Sequence, residues 1–263
     1  MVKFKTVLEG AGLLLISLAL AAGLGFAVHS YVVGALVGTA FALWSFWRFA
    51  GVEGRRAFAS ARPAVNGLAT SSTVFVLFAV TITATVAIAH SQAMQLGWYW
   101  TQSEFRETLP FVFLAATLAV VVEELFFRYY LQTWFKSFVS ANYVWTAIAA
   151  QALAFTGFHS IGTTGIGDYR WVHLILMGIT LGILVEYCGG LVIAILLHGA
   201  WNACTLILAG LTPINLVGTP APVFYAATLS SELWVTRVAS ILGWALALSV
   251  LLGLLLRSRK SRE

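Results

Sequence analysis

The chain has 263 residues, 60% of them apolar, with 15 Lys and Arg against 10 Asp and Glu, a net charge of +5 and a mean hydropathy of +0.90. An average soluble domain is about a quarter charged, and at 10% charged this chain has too little polar surface to clothe a water-soluble globule. Disorder and collagen are excluded by the same figures, and a polytopic membrane protein remains. The basic residues fall in short runs between apolar segments, which is the pattern of membrane topology signals, so no nucleic-acid partner is expected. Cys188 and Cys204 both lie inside apolar stretches and read as small hydrophobes, with no disulfide framework or zinc-ribbon spacing.

A spanning helix needs about 20 predominantly apolar residues, and that ruler predicts eight spans, at 8–28, 31–47, 68–89, 110–133, 142–160, 171–188, 190–210 and 236–256. The first follows Lys3 and Lys5, lacks a small-residue cleavage site and is read as retained. With the amino terminus in the cytoplasm, Lys3, Lys5, Arg48, Arg55, Arg56, Arg62, Lys136, Arg257, Arg259, Lys260 and Arg262 all lie inside. Arg106, Arg170 and Arg237 fall on or near the outer side, and the positive-inside rule supports this orientation, with both termini cytoplasmic. The segment at about 91–108, with Trp98, Tyr99 and Trp100 beside Arg106 and Glu107, predicts an interfacial helix that anchors at headgroup level. Gly178 and Gly182 form a small-xxx-small pair for close helix packing. The loop at 211–233, with three prolines, is the longest outer connection. The expected fold is an all-α integral membrane bundle of about eight helices around a polar intramembrane site. It divides into N-terminal helices and interfacial segment at 1–104, a core at 105–210, and an outer loop with the last helix at 211–263, all one structural unit.

Ionisable groups in hydrocarbon persist only where they are paired, hydrated or used. The fourth span carries Glu123 and Glu124 side by side, roughly midway between Pro110 and Lys136. Arg128 lies one turn from Glu124 on the same face, so those two can pair while Glu123 points elsewhere. For Glu124 and Arg128 an ion pair that fixes packing and a direct catalytic role are both open. Glu123, unpaired, is a functional-site candidate by default. His159 ends the fifth span, and His198 and Asn202, four apart, face one way on the seventh. A lone His in such a helix is often an interhelical contact, but two of them with an Asn and a carboxylate pair predict one polar pocket. His29, His90, His173 and Glu186 sit at span ends and are expected to meet water or headgroups. His159 lies at the far end of its span as drawn, whereas Glu123 and His198 lie near mid-membrane. Either 137–143 runs along the interface and the helix starts nearer Val144, bringing His159 inward, or the site is nearer the outer surface; the first is preferred.

At these residues the sequence resembles the CPBP family of membrane endopeptidases, which includes type II CAAX prenyl proteases and bacteriocin-processing or immunity proteins. The family's Glu-Glu-x-x-x-Arg, Phe-x-x-x-His and His-x-x-x-Asn motifs stand here as Glu123-Glu124 with Arg128, Phe155 with His159, and His198 with Asn202. The matching region covers roughly 105–210, including the glycine-punctuated approach from Gly178 to Gly189-Gly190. Relatives often carry Ser at the Gly190 position, a departure expected to be harmless. The resemblance implies an eight-helix protease in which Glu123 activates the attacking water, assisted by His159. It implies further that His198 and Asn202 stabilise the oxyanion, with Glu124 and Arg128 orienting the site.

Two His and a Glu also suit zinc, so Glu123, His159 and His198 are the ligand set if a metal is used. No His-Glu-x-x-His lies on one helix, so spacing gives zinc no independent support, and a metal-free mechanism is favoured because an oxyanion hole is already supplied. The expected partners are the bilayer and a peptide or protein substrate, prenylated or a leader peptide. The alternatives are a non-catalytic scaffold or immunity protein of the same fold, and a small transporter using Glu123 and the His residues as a proton relay. Transporters usually show repeated halves, and no internal repeat is found here.

Overall fold

The computed structural model describes residues 31–49, 65–91, 95–96, 114, 117–140, 143–160, 170–209, 224–225 and 229–260, with Gly12, Leu15, Ile16 and Ala19 as isolated helical positions. Backbone polar groups cannot be left unpaired in hydrocarbon, so apolar runs of this length become helices. Helix α1 spans Tyr31–Phe49 and α2 spans Val65–Ser91. Helix α3 occupies 117–137 and contains a π turn at Leu125–Leu131 between two α segments. Helix α4 is Val144–Ser160, and α5 is Arg170–Leu184, running on into a second π turn at Val185–Gly189. Helix α6 is Leu191–Ala209 and α7 is Leu229–Lys260.

Hydroxyl residues enter these apolar helices by bonding to the carbonyl one turn back, as Thr73 does to Ala69, Thr85 to Thr81, Thr156 to Ala152 and Thr180 to Leu176. The main core is formed by residues such as Phe155, Leu181, Leu184, Trp201, Trp244 and Leu251, contributed by α4 to α7 and met by Leu77 of α2. A second cluster seats α1 on the back of α3, through Ala42 and Phe46 against Val122, Leu125 and Tyr130. Phe75, Leu153 and Leu196 remain exposed, as helices facing acyl chains require.

Small residues set the closest approaches. A Cβ on Gly178 would lie 2.9 Å from the Cβ of Ala152, and one on Gly182 2.9 Å from Nε2 of Gln151, so the predicted pair does bring α5 against α4. Between α2 and α7 a Cβ on Gly243 would collide with Oγ1 of Thr81.

Among the described residues three helices are long and apolar enough to cross a membrane, at Ala69–Ile88, Arg170–Cys188 and Arg237–Arg257, with Leu191–Cys204 a shorter apolar helix. The expected eight is therefore reached only in part. Most of the 8–28 span lies outside the described residues. The last helix begins at Leu229, inside the stretch expected as loop, because Leu229 to Thr236 continue its pattern without a proline. The expected interfacial helix also differs: Gln95–Leu96 is a short strand paired antiparallel with Phe224–Tyr225, so the connection after α2 and the connection before α7 share a backbone ladder. Trp98, Tyr99, Trp100, Arg106 and Glu107 lie outside the described residues.

Candidate active site

The polar residues of three helices meet in one cluster. Glu123 and Glu124 are the last residues of the α segment before the π turn of α3, and Arg128 lies within that turn. A π turn adds a residue to the helical repeat and rotates the residues beyond it, a distortion concentrated at functional sites. Arg128 remains in reach of Glu124, Nε to Oε2 at 3.3 Å, with both side chains wholly buried. Its guanidinium carbon stands 4.3 Å from the centre of the Phe155 ring, a cation–π contact in a dry setting. The motif phenylalanine of α4 is thus the bed on which the arginine of α3 lies.

The second oxygen of Glu124 fixes His198. Nδ1–H of His198 donates to Oε1 of Glu124 at 2.7 Å, deep in the interior. His159 is fixed the same way by its own helix, its Nδ1–H donating to the Phe155 carbonyl at 2.9 Å. Both rings therefore turn their Nε2 atoms toward Oε2 of Glu123, at 3.5 Å from His159 and 3.8 Å from His198. The adjacent carboxylates have different surroundings. Glu124 is fully buried between a cation and an imidazole, whereas the side chains of Glu123 and His159 keep 17% and 15% of their surface. Asn202 lies one turn beyond His198 on α6 and is half-buried. Between them Trp201 locks α6 against Trp244 of α7, ring centroids 5.2 Å apart.

The sequence reading left Glu123 without a partner and Glu124 with one. The structure gives Glu123 two facing imidazoles and gives Glu124 a second partner, His198. His173, expected at headgroup level, has a buried Nδ1 with no hydrogen-bond partner among the described residues. Glu186 is not simply solvated at a span end: both its oxygens accept hydrogen bonds from Nζ of Lys136 at 2.8 Å. Helix α4 does begin near Val144, as preferred, yet His159 is still its penultimate residue and Glu123 meets it there. The cluster thus joins the last turn of α4 to His198 in the interior of α6.

Two buried glutamines were missed. Nε2 of Gln151 donates to the Gly178 carbonyl at 2.8 Å and Nε2 of Gln132 to the Gly182 carbonyl at 3.4 Å, tying α3 and α4 to α5 beneath the site. The signal was present, since an amide inside a span is as anomalous as a charge once it must find a partner.

Glu123, His159 and His198 supply the donor types of a His2Glu zinc site, with each Nδ1 held by an oxygen as ligating rings usually are. Among the described residues no group of three closes to ligand geometry. The gaps of 3.5 and 3.8 Å slightly exceed the roughly 3.3 Å edge of a tetrahedron built with bonds of about 2.0–2.1 Å.

Residues 105–204 match the family model described as type II CAAX prenyl endopeptidase Rce1-like. The likeness is to this segment, less than half of the chain. It runs through α3, α4 and α5 into α6 and contains every motif residue named above. No curated protein and no solved structure gives a match. The Rce1-like assignment therefore rests on the family model, and the arrangement of the motif residues rests on the geometry.

Proposed function

We propose that the protein is a membrane endopeptidase in which Glu123 is the general base. The observation that carries this reading is the convergence of both Nε2 atoms on Oε2 of Glu123 while each Nδ1 is held by an oxygen elsewhere. Two neutral rings so tethered would present lone pairs to a carboxylate, and three acceptors cannot sit together without a proton among them. One shared proton satisfies the contact and leaves the buried set neutral, with Glu123 and Glu124 balanced by that proton and Arg128.

In the proposed reaction a water placed against Glu123 and His159 gives its proton to Glu123 as its oxygen bonds to the scissile carbonyl carbon. The carbonyl oxygen becomes an oxyanion that accepts hydrogen bonds from Nε2–H of His198, made a donor by the shared proton, and from the Asn202 amide. On collapse the C–N bond breaks and Glu123 returns its proton to the leaving amine. Glu124 holds His198 in the donating orientation, and Arg128, pressed on Phe155, holds Glu124. A zinc ion on Glu123, His159 and His198, if bound, would supply Lewis-acid activation of the water. The favoured reading does without it, because the base and the oxyanion donors are already present in the protein.

Glu123→Gln keeps the volume and removes the base, so cleavage is expected to fall by about 10²- to 10⁴-fold with the folded protein retained. Comparing the peptide termini of membranes carrying wild type or this variant is the direct test; an active Gln variant overturns the base assignment, and full physiological rescue by an inactive one points to a scaffold role. Chelator treatment is expected to leave the activity intact. Loss on chelation with recovery on adding zinc would overturn the metal-free mechanism.

A further inference from the structure

Among acyl chains an apolar helix face discriminates weakly between one height against its neighbour and another, since lipid tails are as apolar as leucine. Directional bonds do discriminate, as a single buried Asn does for the register of a coiled coil. The site needs that discrimination. Glu123 stands on α3 and His159 on α4, with Oε2 and Nε2 3.5 Å apart, and a slip of one helical turn, about 5.4 Å, would part them. His198 is placed separately, from α6, by its bond to Glu124.

Gln132, which follows directly on the π turn of α3, and Gln151 of α4 are 1% and 0% exposed, and both reach α5. Their Nε2 groups donate to carbonyls one turn apart, Gln151 to Gly178 at 2.8 Å and Gln132 to Gly182 at 3.4 Å. A Cβ on Gly182 would stand 2.9 Å from Nε2 of Gln151 and 3.1 Å from Oε1 of Gln132, so the two amides meet over one bare point of α5. From that common level the antiparallel α3 and α4 climb together. One turn on, Arg128 lies 4.3 Å over the ring of Phe155. The next turn brings Glu123 to His159, nine residues from Gln132 and eight from Gln151, distances of about 13 and 12 Å along the two axes. The rungs therefore match to about one residue's rise, and the lowest is the one bonded to a third helix.

We infer that Gln132 and Gln151 are positioning residues, whose bonds to α5 select the one register of α3 against α4 in which Glu123 faces His159. That this register serves cleavage rests on the peptidase reading above; the register itself does not. Helix α5 contributes none of the cluster residues, so it acts as a common reference for its two neighbours, and Gly182 keeps the edge that both amides use clear. Interhelical hydrogen bonds in a bilayer add little to stability, because separated helices find other partners. Loss of either amide therefore shows in geometry before it shows in melting, and Gln151, with the shorter bond, has the larger effect.

Spin labels on Ser137→Cys and Leu153→Cys, exposed positions of α3 and α4, report the register as a distance in a background with Cys188→Ala and Cys204→Ala. If that background does not fold, ketone-bearing residues at the same two positions of the native-cysteine chain carry the labels. The parent is expected to give one narrow distance. Gln151→Met, and to a lesser degree Gln132→Met, keep the length and lose the donor; they are expected to add a population displaced by about 5 Å, with melting within about 4 °C of the parent. Gly182→Ala, which presses on both amides from α5, is expected to do the same. One unchanged distance in both Met variants overturns the register role. A lower melting temperature with no change in distance overturns it too, being the mark of packing alone. For cleavage, membrane peptide termini that depend on Glu123 are expected to fall about tenfold or more in Gln151→Met, since a misplacement of about 1 Å costs up to 10²-fold. A displaced register with undiminished termini overturns the positioning part. If no terminus depends on Glu123, the peptidase reading fails and the register result stands.

Discussion

Two clusters of cation and carboxylate tie α3 to its neighbours, and they follow opposite rules. In the last turn of α3 Lys136 meets both oxygens of Glu186 at 2.8 Å, with side chains 35% and 22% exposed. Within the site Arg128 stands 3.3 Å from Glu124 with both side chains at 0%. The tighter geometry occurs where water competes with it, and the looser one where water is excluded. Stability alone would select the reverse, since a buried pair must offset the desolvation of both ions by close contact. In the interior, Nη1 and Nη2 of Arg128 have no hydrogen-bond partner among the described residues. What the buried cluster secures is orientation, because Oε1 of Glu124 is committed to His198. The exposed pair joins two helix ends, whereas the buried one holds a ring in place.

If that contrast is right, taking away one partner of the buried pair should be the largest structural insult. Arg128→Ala is expected to cost about 3–5 kcal/mol, as removing one member of a buried pair generally does, measured by denaturant titration in detergent. The sharper form is the double change Glu124→Leu with Arg128→Met, which removes both charges and fills their volume. Such replacements are often neutral or stabilising by about 1–4 kcal/mol, so stability should return while cleavage does not. Recovery of cleavage along with stability would show that the pair only packs.

The next effect falls on the segment linking the two clusters. Gly190 adopts φ 81° and ψ −169° between the π turn that carries Glu186 and the start of α6, which carries His198. A side chain in the left-handed region costs about 1–2 kcal/mol. Glycine, standing where relatives often carry Ser, meets no such cost on this backbone. Gly190→Ala should lower stability by about that amount and lower cleavage with it, because α6 is displaced at its first turn. A variant of wild-type stability would show that the turn relaxes.

The site was more legible in the sequence than the fold around it. Charges in an apolar chain are rare enough to be counted, so Glu123, Glu124, Arg128, His159 and His198 were found by their anomaly alone, and the structure gathers all five. Hydropathy carries no comparable detail. It could not place the π turns, which depend on how residues such as Leu125 and Val185 pack and not on how apolar they are, and it drew the last helix shorter than the Leu229–Lys260 that forms. Depth was illegible for a related reason. A window centred on Glu123 says that a span surrounds it, while the place of the site depends on which residues of three helices meet, here the end of α4 with the interior of α6. Gln132 and Gln151 stand apart from the motif residues, and neither lies one turn from a histidine as Asn202 does from His198, although the cost of an unpaired amide in hydrocarbon follows the same logic.

The smallest effect is expected at the exposed pair. Lys136→Ala removes two hydrogen bonds from Glu186, but the lysine is partly hydrated and its loss lets the carboxylate find water. Exposed pairs of this kind are worth about 0–1 kcal/mol, and at 1 M salt, with a screening length of about 3 Å, that difference should shrink toward zero. The penalty of Arg128→Ala should survive the same salt, since no ion reaches Glu124 to replace the guanidinium. Measuring both variants at low and high salt therefore tests the contrast with one titration series. A Lys136→Ala cost that matches that of Arg128→Ala, or that persists in salt, would mean that the two ends of α3 hold their neighbours by the same means, and the functional reading of the buried pair would lose its main support.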